Sequence, residues 1–112
     1  KFFFNLMERW GCNAEQQRTL LGGVGNTTFY KYKHLPPNIR LPHDTLERIS
    51  YLMGIHKALS IIFSNSSERA YTWVSSPNTA APFNGRTALD YMLAGRVVDI
   101  ADVRRYLDGV RG

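Results

Sequence analysis

Three glycines in four residues, Gly22-Gly23-Val24-Gly25, most restrict what this chain can become. On both sides apolar residues recur at helical spacing, and glycines this close together force a tight turn or positive φ. Two helices joined by such a turn are therefore expected. Ahead of it, Asn13 is placed to cap a helix through Ala14, Arg18, Leu20 and Leu21. After it, Asn26 is expected to cap the next, with Thr27 and Thr28 in its first turn. That helix must stop before Pro36-Pro37, because proline lacks an N–H and restricts the residue ahead of it.

The rest of the chain reads as helix as well. Phe3, Leu6, Met7 and Trp10 share one face of a first helix that Gly11 ends. Residues 36–42 read as an extended connector. A long helix should begin near Pro42, His43 or Asp44, with Leu46, Ile49, Leu52, Met53, Leu59, Ile62 and Phe63 along its apolar face. Unbroken to residue 63 it would span roughly 33 Å. Gly54 in its middle predicts a kink or a close helix crossing. Ser66 or Ser67 caps a further helix carrying Ala70, Trp73 and Val74. Residues 75–85 are turn-rich. Thr87 to Ala94 reads as helix closed by Gly95, and Asp99 or Ile100 opens the last, with Val103, Tyr106 and Leu107 inward and Gly109 after it. No stretch alternates long enough to make a strand. The fold expected is all-α: a helix-turn-helix module over residues 1–63, then a small helical module over 64–112.

The size, 112 residues, admits one ordinary domain or two very small ones, and excludes a barrel enzyme or a full dinucleotide fold. With 44% apolar and 21% charged residues the chain is composed to fold. Cys12 stands alone, which excludes an internal disulfide and a two-cysteine zinc motif and leaves a small buried thiol as its role. No apolar run approaches the roughly 20 residues of a membrane span. Phe2-Phe3-Phe4 leads into Asn5, Glu8 and Arg9, unlike a signal-peptide core, so a cytoplasmic protein is expected. The first residue is Lys1 rather than Met, so a native N-terminus upstream is expected. His34, His43 and His56 lack metal-ligand spacing, and no nucleophile elbow, phosphate loop or paired-carboxylate pattern is present. An enzyme is not expected, and neither is a cofactor.

The formal charge is +5 and the pI about 9.7, which suggests a polyanionic partner. Residues 1–57 hold 8 basic and 4 acidic residues, a surplus of four; residues 58–112 hold 6 and 5, a surplus of one. The positive surplus belongs to the helix-turn-helix half. On its second helix Thr27, Lys31 and His34 share a face, Thr28 borders it and Phe29 points away. Hydroxyl and ammonium groups there suit DNA phosphates, with Tyr30, Lys33 and Arg40 at the edges. Beyond the capping Asn26 this helix has no Arg, Gln or further Asn for bidentate base reading, which implies modest specificity per module and dimerisation to raise it. The plain alternative is a helical hairpin with a solvated basic face.

Residues 71–112 interleave Tyr71, Trp73, Phe83, Tyr91 and Tyr106 with Arg86, Arg96, Arg104, Arg105 and Arg111, the residue types enriched at protein interfaces. Trp73, Phe83 and Leu89 read as core, and Arg104 and Arg105 have a solvated helix face as their alternative. The succession Glu68-Arg69-Ala70, Trp73-Val74, Ser76-Pro77-Asn78, Phe83-Asn84-Gly85-Arg86-Thr87-Ala88-Leu89-Asp90, Met92-Leu93-Ala94-Gly95, Asp99-Ile100, Val103-Arg104-Arg105-Tyr106-Leu107-Asp108 and Arg111-Gly112 resembles the Xre/MbcA/ParS family of type II antitoxins. Residues 1–63, with Arg48-Ile49-Ser50 and Leu52-Met53-Gly54-Ile55, are similar to that family's helix-turn-helix half.

The resemblance implies a non-enzymatic antitoxin. Its partner would be a RES-domain toxin, which consumes NAD⁺, or a related ADP-ribosylating toxin, and its mode would be occlusion of the toxin's active-site cleft. By the same resemblance Arg86, Asp90, Arg104, Arg105, Tyr106, Arg111 and Gly112 fall on the toxin side, with arginines where NAD⁺ phosphates would sit. Asn26, Thr27, Thr28, Tyr30, Lys31 and Lys33 remain the DNA side, with operator DNA bound as a homodimer or in the toxin complex. The rival is a free-standing transcriptional regulator whose C-terminal half dimerises or senses a ligand.

Overall fold

The computed structural model describes residues 2–34 and 40–112. In chain order these form α1 (Phe2–Trp10), α2 (Ala14–Leu20), α3 (Asn26–Lys33), α4 (His43–Ile62), α5 (Ser67–Thr72), a 3-10 turn (Trp73–Ser75), α6 (Ala88–Met92) and α7 (Val97–Arg111). No strand occurs among the described residues; one isolated bridge pairs Pro77 with Thr87. The all-α architecture expected from the sequence holds. Most of the connector expected over residues 36–42 lies outside the described residues.

α1 forms because its apolar residues repeat at helical spacing. Phe3, Leu6, Met7 and Trp10 are buried, while Asn5, Glu8 and Arg9 face out. α4 is the longest element. At about 1.5 Å per residue its 20 residues reach about 30 Å, most of the molecule's 37 Å long axis. It begins inside the expected window, but its buried face differs from the predicted stripe. Leu52 and Leu59 are buried as expected, together with Thr45, Arg48, Ile55 and Ala58, whereas Leu46 and Met53 are exposed. The cause is tertiary: α1, α5 and α7 all pack on α4, α7 most extensively, so the covered arc is set by its neighbours.

Gly54 marks a close crossing. The Arg104 side chain of α7 occupies the space that a side chain at Gly54 would fill, and α4 runs through without a break. α7 opens at Val97, two residues before the expected start. Asp99 is its third residue and bonds back to the Arg96 N–H at 3.2 Å, closing the cap from inside the helix. α7 also continues past Gly109 to Arg111. An interior glycine costs about 1 kcal/mol without ending a helix by itself.

A single apolar cluster draws on both halves, from Phe3, Leu20 and Phe29 through Leu52 and Ile55 to Phe83, Ile100 and Leu107. The N-terminal and C-terminal helices are thus two faces of one packed core, joined along α4.

Candidate functional site

The N-terminal face is built on the glycine turn. Asn13 caps α2 with a full capping box: its Oδ1 accepts the Gln16 N–H at 2.8 Å, and Gln16 Oε1 accepts the Asn13 N–H at 2.8 Å. Gly22 and Gly23 take φ values of 111° and 79°. The Gly23 N–H donates to the Arg18 carbonyl at 2.8 Å, turning the chain back at the end of α2. Leu20, Leu21 and Phe29 fill the inside of the hairpin, with Val24 half-buried beside them.

α3 starts one residue earlier than expected. Gly25, in extended conformation, holds the cap position, and Asn26 is the first helical residue. The amide of Asn26 is therefore not spent on a cap, and no side chain covers the N–H groups of the first turn. Asn26, Thr27, Tyr30, Lys31 and His34 are exposed, and Thr28 is half-buried at the border. Lys33 is exposed on a different flank, where it lines a cavity of about 550 Å³ with Glu8, Asn13 and Gln17. By helical spacing Thr27, Lys31 and His34 share one outward face, and Asn26, Tyr30 and Lys33 form the neighbouring stripe. Cys12 lines the same cavity; burial pushes its thiol up to about 11, so it stays protonated at neutral pH.

The C-terminal face rests on a closed loop between the 3-10 turn and α6. Asn78 organises it: its N–H donates to the Arg86 carbonyl at 3.1 Å and its carbonyl accepts the Gly85 N–H at 2.8 Å. Phe83, fully buried, anchors it. Arg86 is left exposed, its guanidinium 5.6 Å from the centre of the Tyr91 ring. The Tyr91 hydroxyl donates to Asp102 Oδ2 at 2.7 Å, and Asp102 Oδ1 accepts from Arg105 Nη1 at 3.0 Å. The bond to the Asp102 carboxylate, with burial, pushes the Tyr91 hydroxyl above its ordinary pKa. Arg86, Tyr91, Asp102 and Arg105 form one continuous array across α6 and α7.

The other residues expected on this face are distributed differently. Asp90 is exposed in the first turn of α6, where its N–H donates to Thr87 Oγ1 at 3.0 Å. Tyr106 is half-buried: it stacks on Trp73 at 6.2 Å and meets the edge of Phe83 at 5.1 Å. Arg104 lies over Gly54, with Nε 3.4 Å from Asp108, an ion pair without a hydrogen bond. Arg104 and Arg105 are adjacent in sequence but on different sides of α7. Arg111 and Gly112 are exposed at its end.

Two elements of this region were missed in the sequence. Asp99 is buried and held by Arg96, with Nη2 to Oδ1 at 2.8 Å. Arg96 only donates to Asp99, from its N–H, Nε and Nη2, so the pair is half of a capping box and carries no standard capping signal in the sequence. Arg48 is buried with a bond to the Gly95 carbonyl at 2.9 Å, across 47 residues, and no local pattern signals that.

Fold and faces together define a helix-turn-helix protein with a second, helical module on the same core. The antitoxin Xre-like helix-turn-helix domain matches residues 1–54, and the antitoxin Xre/MbcA/ParS C-terminal toxin-binding domain matches residues 58–112. The chain belongs to the Xre/MbcA/ParS antitoxins of toxin–antitoxin systems. It is 48% identical over 110 residues to the uncharacterized protein y4oB of Sinorhizobium fredii, covering 98% of this chain and 81% of that protein. No solved structure matches it. No described helix is long and apolar enough to cross a membrane.

Proposed function

We propose that this antitoxin silences an NAD⁺-consuming toxin, of the RES or ADP-ribosylating kind, by covering its active-site cleft, and that it represses its own operon through α3. The observation that carries the toxin half is the array of Arg86, Tyr91, Asp102 and Arg105, held by hydrogen bonds and stacking on the module that matches the toxin-binding family. Held arginines lose little freedom on docking and suit oxyanion or carbonyl partners. Asp90 at the start of α6, the hydroxyl of Tyr106, and Arg111 with Gly112 at the end of α7 extend the same contact, while Arg104, on the α4 side of α7, would meet the toxin at a separate edge. On the DNA side, the free amide of Asn26 and the exposed Thr27, Thr28, Tyr30 and Lys31 meet bases and phosphates, with Lys33 on the backbone at the edge. The protein works in the cytoplasm as a homodimer or in a higher complex with toxin and operator, without catalysis of its own. Residues 1–63 serve the DNA role and 64–112 the toxin role.

The test is co-expression with the product of the adjacent toxin-sized reading frame, followed by the mass of the intact complex and an NAD⁺-consumption assay. The wild type is expected to co-purify and abolish consumption. Arg105→Glu reverses a charge at an exposed position and should weaken inhibition at least tenfold while leaving the fold intact. Arg104→Glu is a poorer probe, since it also disturbs the crossing at Gly54. Unchanged silencing by a folded Arg105→Glu variant removes this face from the interface. For the DNA half, Lys31→Ala should weaken binding to the upstream DNA and lower the salt slope by about one.

A further inference from the structure

His56 stands at the centre of an aromatic column that ties α1, α4 and α5 together. It lies on α4, between the residues that the two family matches cover, 1–54 and 58–112. Its ring centre is 6.0 Å from that of Phe2 on α1, and it stacks on Tyr71 of α5 at 5.3 Å with 24° between the planes. The Arg9 guanidinium, from the last turn of α1, sits 5.1 Å from the centre of the same Tyr71 ring. The Nδ1 of His56 is buried and has no hydrogen-bond partner among the described residues. Charged groups flank it on each of the three helices. Glu8 and Arg9 of α1 line a cavity of about 270 Å³ together with His56 and Tyr71. Glu68 of α5 lies one turn before Tyr71, Arg69 is drawn over the Phe63 ring, and Lys57 follows His56 on α4. All five charged side chains are exposed.

We propose that His56 is an acid sensor built into this junction: its neutral imidazole holds α1 against α4 and α5, and its protonation loosens them. A neutral imidazole can leave Nδ1 as a bare lone pair. An imidazolium carries an N–H on both nitrogens, and the one at Nδ1 would be a buried donor without an acceptor. The new charge would also share the Tyr71 ring with the cation of Arg9. Glu8 and Glu68 have the opposite sign, but both are exposed, so solvent and salt screen their attraction. Burial therefore decides, and it holds the His56 pKa below its ordinary value of 6.5. The sign follows from linkage. A histidine with a lowered pKa in the folded protein contributes its stability in full above 6.5, and loses it as pH falls through the lower folded value. His34 and His43 are exposed and stand outside the column.

Two measurements on the full chain test this. The first follows the histidine Cε1–H resonances from about pH 8 to about pH 5, with His56 assigned through its contacts to the Tyr71 ring. His56 should titrate below about 6.5, and a titration at or above that value overturns the proposal. The second is the thermal midpoint between about pH 7.5 and about pH 5.5. Over that interval the wild type should lose at least about 3 °C more than His56→Phe, which keeps a ring in the column and carries no charge. A variant with His34→Gln and His43→Gln should lose as much as the wild type. Equal losses in the wild type and His56→Phe overturn the proposal, as does a loss that disappears with His34 and His43. Should His56→Phe not fold, His56→Gln replaces it, and the resonance titration of the wild type decides by itself if neither folds.

Discussion

Gly22 holds φ at 111°, and an added Cβ there would meet Asp44 Oδ2 at 2.9 Å. Gly54 is helical, and the atoms nearest to an added Cβ belong to the Arg104 side chain. The two glycines should therefore respond oppositely to alanine. Gly22→Ala combines backbone strain with a contact against a carboxylate held by a buried cation. It should cost more than about 1 kcal/mol. Gly54→Ala gains about 1 kcal/mol of helix propensity, offset by moving a flexible arginine, so it should stay near neutral. Thermal unfolding of the two variants separates them by several degrees at this chain length; equal midpoints would sink the account. That a tight turn or positive φ falls within Gly22-Gly23-Val24-Gly25 was legible in the sequence, and the structure puts the positive φ at Gly22 and Gly23. The partner that presses on Gly22 was not, because Asp44 and Arg48 approach from another helix.

At the scale of elements, what was legible depended on how local the cause was. The Asn13 cap involves residues three apart, and it appears in the structure as expected. Asn13→Ala removes the Oδ1 that accepts the Gln16 backbone N–H and keeps the return bond from the residue 13 N–H to Gln16 Oε1. It should lower the urea midpoint by an amount equal to about 1 kcal/mol. Partner binding through α7 should not change, which a pull-down checks. For α3, both Gly25 and Asn26 are acceptable caps, and the exit angle of the glycine turn decides for Gly25. For α4, the apolar residues alone named Leu46 and Met53 as buried, and only the positions of α1, α5 and α7 expose them. For α7, a cap that closes from inside the helix moved the start from Asp99 to Val97.

For the whole molecule, one shared core implies one unfolding event. Trp10 is buried on α1 and Trp73 lies in the aromatic cluster with Phe83 and Tyr106, so each reports a different end. In Trp10→Phe and in Trp73→Phe, the remaining fluorescence should change at the same urea concentration as the loss of helix by circular dichroism. Separate midpoints within one variant would show the modules melting independently.

The sequence by itself determined the helical class, the glycine turn, the α2 cap, the location of the positive surplus and the family resemblance. Each of these depends on residue type or short spacing, which the chain carries before it folds. The tertiary structure alone decided which side of α4 is buried, and that Arg104 and Arg105 part company. It also decided that Arg48, on α4, bonds to the Gly95 carbonyl 47 residues away. These depend on which helices lie against which, and packing of distant segments is settled only when the whole chain competes for the same core.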